Sequence, residues 1–217
     1  MSGAQTRGRL LDSAERLMAA NGISATSVRE VTEDAGANIA AINYYFGGKD
    51  ELLLTILKTG FDELDAILHK KLTQLEKTHQ NGSGSPPLEE IVVVYFDTLL
   101  DLGVDPQTGK RDPFINLIQR AASERAVILD RAQDYEAPGI AKFTDMVGAT
   151  ASPPVDLHAE IEIFISLIFD AAVSAMSVIT AEGREAPGVD AIRAFAATGV
   201  QGYLAVRARF ADVAGPD

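Results

Sequence analysis

The chain has 217 residues, of which 47% are hydrophobic and 23% charged, with a formal net charge of −12; that is ample material for a packed core. The absence of cysteine excludes disulfides, thiolate nucleophiles and zinc-thiolate centres, and suits a reducing compartment. No run approaches the roughly 20 consecutive apolar residues of a bilayer span, and the start of the chain lacks the basic-then-apolar order of a signal peptide, so a cytoplasmic location without a membrane partner is expected. Acidity opposes nucleic-acid binding, which begins with Lys and Arg neutralising phosphates, but it is unevenly spread. Residues 1–50 hold five Lys/Arg (Arg7, Arg9, Arg16, Arg29, Lys49) against six Asp/Glu, net −1, leaving 14 against 25, net −11, for residues 51–217.

Apolar residues recur three and four apart through nearly every segment, with no sustained alternation, so the expected fold class is all-α with about nine helices. A first helix is expected from Thr6 to Ala20, with Leu10, Ala14, Leu17 and Met18 on its inner face, ended by Asn21-Gly22. A second follows Thr26 or Ser27, because Ser27 and Glu30 have the spacing of a capping box, and Gly36 stops it by adopting positive φ. Asn38 can cap a short third helix from Ile39 to Tyr45, and Gly47-Gly48 breaks the chain before a long helix reaching about His79. After a loop at 81–87, further helices are expected at 88–102, 113–131, 135–148, 156–182 and 188–211. The expected division is a three-helix domain over residues 1–50 and a larger helical domain over 51–217.

Two short helices joined by a tight glycine turn form a rigid unit whose second helix fits the DNA major groove. Here Val28, Val31, Ile39 or Ile42, and Phe46 must supply its core, leaving Ala40, Ala41, Asn43 and Tyr44 outward. Small alanines can touch thymine methyls, Asn43 can pair with adenine, and Tyr44 can reach phosphate or base. Lys49, opening the next helix, sits where its ammonium and the helix N-terminus together attract a phosphate, while Thr26 and Ser27 offer hydroxyls and N–H groups to the other strand.

The stretches Thr26-Ser-Val-Arg-Glu-Val, Ala35-Gly-Ala-Asn and Ile42-Asn-Tyr-Tyr-Phe-Gly-Gly-Lys-Asp-Glu-Leu52 resemble the signature of the tetracycline-repressor (TetR) family, specifically over residues 6–57. The resemblance implies DNA contacts at Thr26, Ser27, Ile39, Ala40, Ala41, Asn43, Tyr44, Tyr45 and Lys49. It departs from the family at Asn43, where an aromatic is frequent, and at Gly48, where a serine cap is frequent; the latter should weaken a cap by only about a few tenths of a kcal/mol. The implied function is a transcriptional repressor released from a palindromic operator by a small molecule. A helical interaction module that has lost DNA binding is the alternative.

Such readers work in pairs, because one short helix touches too few bases. Two stripes are candidates for a homodimer seam: Ile161, Ile165, Ile168, Ala172, Ala175 and Ile179, and Ile192, Phe195, Gly199, Gly202 and Val206. An internal core is the other explanation for them. The resemblance also implies a pocket for an effector of unknown identity, for which Phe61, Tyr95, Phe96, Phe114, Phe143 and Phe164 are candidate walls. Asp170 lies in an otherwise apolar helical segment; it could receive a cationic ligand group, bridge a dimer or face solvent. A long helix linking pocket to reader would let a ligand change the separation of two recognition helices. No nucleophile elbow, phosphate loop, dinucleotide fingerprint or zinc-protease motif is present, and His69, His79 and His158 lie far apart, so neither catalysis, a metal nor a cofactor is expected.

Overall fold

The computed structural model describes residues 3–80, 85–105, 107–123, 137–151, 157, 161–184 and 186–211. Among the described residues the regular structure is nine helices: α1 (Gly3–Asn21), α2 (Val28–Asp34), α3 (Ala40–Phe46), α4 (Lys49–Gln80), α5 (Leu88–Gly103), α6 (Pro113–Ser123), α7 (Pro138–Ala149), α8 (Ile161–Glu182) and α9 (Pro187–Ala211). The expected helices are all present, with shifted ends. The first starts at Gly3 instead of Thr6, the 113–131 helix is described as far as Ser123, and the 135–148 helix begins at Pro138. The remainder of the expected 113–131 helix, most of the 81–87 loop, and residues 156 and 158–160 lie outside the described residues.

Contacts divide the chain into two compact units: Met1–Glu63 with Arg111–Glu136, and Leu64–Lys110 with Ala137–Asp217. The division falls later on α4 than the Gly47-Gly48 break, and groups α6 with the N-terminal helices. In the first unit α1 packs on α2 and α6, burying Leu10, Ala14 and Met18 together with Val31, Ile42, Leu52, Leu57, Ile115 and Leu117. Each large side chain buried in this way stabilises by about 2 kcal/mol before entropy is counted. Phe61 and Phe114 meet edge to face at 5.6 Å between centroids.

In the second unit α5 packs against α7, α8 and α9, and α8 against α9. Their shared interior holds Tyr95, Phe96, Leu99, Phe143, Phe164, Ile168, Ala172, Ala175 and Val200. Residues Ile163–Glu182 of α8 are long and apolar enough, by length and composition, to cross a membrane, which the search for uninterrupted apolar runs did not suggest. Here this segment packs against α5 and α9 and supplies the core residues Ile168, Ala172, Ala175 and Met176.

The start of α7 has no local cap: Ala137 makes no side-chain cap hydrogen bond, and Pro138 supplies only a pre-set φ. Its donors are met from 74 residues away. The buried Asp65 carboxylate accepts the Gly139 N–H at 3.0 Å and the Ile140 N–H at 2.9 Å, an arrangement that also opposes a negative charge to the positive helix end. Gly139 is needed for the approach, since a β-carbon there would lie 2.5 Å from the Asp65 carbonyl oxygen. Ion pairs hold the outer helices. Arg193 of α9 binds Asp97 of α5 at 2.8 Å, and Asp101 pairs with Lys71 at 2.7 Å and with Arg184. Partial burial pushes the Asp101 carboxyl up, but the Lys71 and Arg184 charges outweigh it and hold it below its ordinary value.

Candidate nucleic-acid interface

The entry to α2 is closed by local chemistry. Ser27 is extended (φ −93°, ψ 155°), its hydroxyl accepts the Glu30 N–H at 3.2 Å, and Glu30 returns a carboxylate to the Ser27 N–H at 2.7 Å, so the expected capping box forms. The Ser27 N–H, the Ser27 hydroxyl and the Lys49 charge hold the Glu30 carboxyl below its ordinary value. After Ala35 the chain turns at Gly36 with φ +58°, as expected of a residue without a β-carbon. Asn38 then starts α3: its side-chain oxygen accepts the Ala40 N–H at 2.9 Å and its carbonyl the Ala41 N–H at 2.8 Å. Gly47, left-handed at φ +86°, donates to Asn43 and ends α3. Gly48 sits at φ +147°, which disfavours the serine frequent at this position of the family whatever its capping value.

These constraints fix which side of α3 faces out. Ile42 is fully buried, whereas Ile39 is 56% and Tyr44 82% exposed; the core position left open between Ile39 and Ile42 therefore belongs to Ile42. Ala40 and Asn43 are exposed beside them, and Ala41 is half-buried. The result is an uncharged outer strip of methyl groups, one amide and one phenol, the chemistry that distinguishes thymine methyls and adenine edges. Tyr45 is half-buried; it stacks edge-on against Tyr44 at 4.9 Å and lies against Gly3 at the start of α1. Its neighbour Phe46 carries the Arg7 guanidinium 5.2 Å above its ring.

Two expected contacts look different in the structure. Thr26 is only 1% exposed, and its hydroxyl donates to the Gly22 carbonyl at 2.8 Å, so it braces the turn before α2 and does not offer a surface donor. Lys49 is half-buried, with Nζ donating to the Ile23 carbonyl at 2.5 Å, where an open ammonium had been expected. Ser27 remains exposed. Conversely, Arg29 was not among the expected contacts, yet its side chain is 78% exposed in the first turn of α2 and pairs with Glu33 at 2.7 Å. The signal was present: an arginine two residues from the inward Val31 and four before a glutamate must lie on the outer face. Arg16 of α1 also pairs with Asp34 of α2, tying α2 to its supporting helix.

The expected effector walls are distributed over both units. Phe61 and Phe114 pair in the first unit. Tyr95 packs on Phe143 at 5.1 Å, and Phe164 on Tyr203 at 5.1 Å, in the second. Tyr95, Phe96, Phe143 and Phe164 are all buried core. Burial, and secondarily the Asp65 charge, push the Tyr95 hydroxyl well above its ordinary range. Cavities of about 370 Å³ bordered by Glu76, Gln80, Ile91 and Met146, and of about 560 Å³ bordered by Pro87, Thr150, Gln201 and Leu204, are lined by other residues. Asp170 is exposed in the single chain, which suits the solvent-facing and dimer-bridging alternatives and not a place inside the core.

The two seam stripes also separate. Ile168, Ala172, Ala175 and Ile179 are buried within the chain's own core, because the α8 stripe faces α5 and α9. Ile161 lies where side chains are not described, and Ile165 and Ile192 are half-buried. On α9, Gly199 is also internal, since a β-carbon there would meet Leu167 at 2.7 Å. Phe195 (64%) and Val206 (52%) are exposed, and Gly202 opens to space. The exposed positions of α9 from Ala191 to Val206, including Ala194, Thr198, Gln201 and Ala205, carry no charge.

Residues 10–56 match the model of the family described as bacterial regulatory proteins, tetR family. The chain is 31% identical over 94 residues to a Bacillus subtilis (strain 168) protein named "Probable HTH-type transcriptional regulator YttP", a match spanning 43% of this chain and 42% of that one. It is 31% identical over 74 residues to the HTH-type transcriptional regulator BetI of Brucella canis, covering 34% and 37% of the two chains. Over nearly the whole length the fold is similar to a TetR family transcription regulator of Marinobacter aquaeolei (TM-score 0.64, 17% identity, 90% and 95% of the chains covered). It is also similar to the transcriptional regulator FadR of Bacillus subtilis in complex with stearoyl-CoA (TM-score 0.54, 12% identity, 89% and 96% covered).

Proposed function

We infer the function of this chain from one premise: through residues 10–56 it belongs to the tetR family of bacterial regulatory proteins. It is a transcriptional regulator that binds double-stranded DNA as a homodimer and, as a repressor, leaves a palindromic operator when a small molecule binds; it is not an enzyme, and it acts in the cytoplasm. The observation that carries this is the outward strip of α3. Ile39, Ala40, Asn43 and Tyr44 are exposed on a short helix whose two ends and inner residue Ile42 are fully determined. Exposed Tyr44 and Ile39 beside an exposed amide give this face the mix of apolar and hydrogen-bonding groups that can cover base edges and thymine methyls. Ser27 and Arg29 at the start of α2 are the phosphate-side candidates, and the half-buried Ala41 and Tyr45 flank the reading strip.

Pairing is supported by the uncharged outer face of α9 around Phe195, Gly202 and Val206, where small residues permit close helix approach. Effector binding is supported by the FadR structure, which is a complex with stearoyl-CoA. In this chain α4 contributes residues to both compact units, so an effector held by the second unit has a continuous helix through which to act.

Band shift with the DNA upstream of the protein's own gene tests the reader, with sedimentation of the same sample testing the pair. Saturable binding that weakens about tenfold or more in Asn43→Ala and Tyr44→Ala, with unchanged thermal stability, is expected. Binding unaffected by either change removes α3 as the reading helix. A folded dimer with no DNA affinity would instead favour an interaction module.

A further inference from the structure

Building on the DNA-reading role above, we propose that Lys49 is a positioning residue: it ties the turn entering α2 to the start of α4 and so sets the angle at which α2 and α3 are presented, instead of gripping a phosphate. The geometry is a short chain of linked groups within the first unit. Lys49 opens α4, and its Nζ donates to the Ile23 carbonyl at 2.5 Å, 26 residues earlier. Ile23 is only 9% exposed. The turn it belongs to is closed on itself, with the Thr26 N–H and hydroxyl both donating to the Gly22 carbonyl, at 3.2 and 2.8 Å. Ser27, the next residue, starts the capping box, and the Glu30 carboxylate of that box feels the Lys49 charge.

Two physical points favour a strut. A charge-assisted hydrogen bond from a partly desolvated ammonium is short and strong, so recruiting Lys49 to a phosphate would mean breaking or distorting it. Moreover, α2 has seven residues, too few to be stable or directed by its own ladder; its orientation depends on what holds its first turn. Lys49 links α4 to the turn that leads into that first turn, which places a joint between the long helix and α2 at this side chain.

The test compares wild type with Lys49→Met in two measurements. In fluorescence anisotropy on one operator fragment over a range of KCl concentrations, removing a phosphate contact lowers the salt slope by about 0.9. Removing a strut weakens binding at every salt concentration and leaves the slope unchanged. In hydrogen exchange on the protein without DNA, loss of a strut speeds exchange at residues 24–31, which loss of a phosphate contact does not. The expected result is roughly tenfold weaker binding, a slope equal to wild type, and faster exchange confined to that segment. A lowered slope, or unchanged exchange, overturns the proposal. Should Lys49→Met not fold, Lys49→Leu replaces it and is judged by the same two outcomes, since it too lacks both the charge and the donor. If wild type binds no DNA, the DNA-reading role fails by itself, while the exchange measurement still decides whether Lys49 braces α2.

Discussion

The start of α2 and the start of α7 solve the same problem in opposite ways. Both must satisfy free N–H groups at a helix N-terminus. At α2 the acceptors are Ser27 and Glu30, within three residues of each other. At α7 the acceptor is Asp65, on a different helix and fully enclosed. A local cap makes a helix end that forms wherever its sequence goes. A remote cap makes a helix end that exists only when two distant segments are assembled, and it concentrates cost in one buried carboxylate.

That contrast can be broken by measurement. Asp65→Ala strands two N–H groups, that of buried Gly139 and that of half-buried Ile140, and should cost about 3 kcal/mol in urea unfolding, against about 1 kcal/mol for Ser27→Ala at the exposed cap. If the two losses are equal, remote capping carries no special weight here. Gly139→Ala keeps the carboxylate but pushes a methyl group against the Asp65 backbone, and about 2 kcal/mol is expected from the forced separation of α7 from α4. Ser27→Ala should further leave the thermal transition of the second unit's aromatic signal in place, since its effect is confined to α2.

The smallest effect is a pH dependence in the first unit. Glu15 on α1 is pushed up to about 7, first by burial and then by the charges of Asp112, Asp12 and Glu63. The folded protein therefore holds a proton that the unfolded chain, near the ordinary 4.5, releases. This stability is fully present below about pH 4.5 and is lost as pH rises through 7. Glu15→Gln removes the dependence. Its stability relative to wild type should rise by about 1 kcal/mol between pH 5 and 8 once screening of the half-exposed carboxylate is allowed for. A constant difference across that range would show that neither burial nor the acidic neighbours raise Glu15 in the folded protein.

The same contrast explains what could be anticipated. The capping box at Ser27, the positive φ at Gly36 and the start signal at Asn38 each rest on residues a few positions apart, and all three form as expected. The nine helices follow for the same reason, since a 3.6-residue period is a local property. Which of Ile39 and Ile42 turns inward was left open, because both lie on plausible faces of so short a helix. Thr26 and Lys49 resemble surface donors until Gly22 and Ile23 are brought beside them. The spacing of the α8 stripe points to a seam, with a core as the other explanation, and α5 and α9 lying on it make it core.

Sequence by itself therefore determined the helical class, the glycine turn between two short helices and the likeness of residues 10–56 to the tetR family, because backbone hydrogen bonding and periodicity act over a few residues. Tertiary structure alone decided that Asp65 caps α7, that Lys49 is tied to Ile23, and that the outer face of α9, not the stripe of α8, is left free in the single chain. Those outcomes depend on which distant groups compete for the same donor, acceptor or apolar surface, and that competition is settled only when the helices pack.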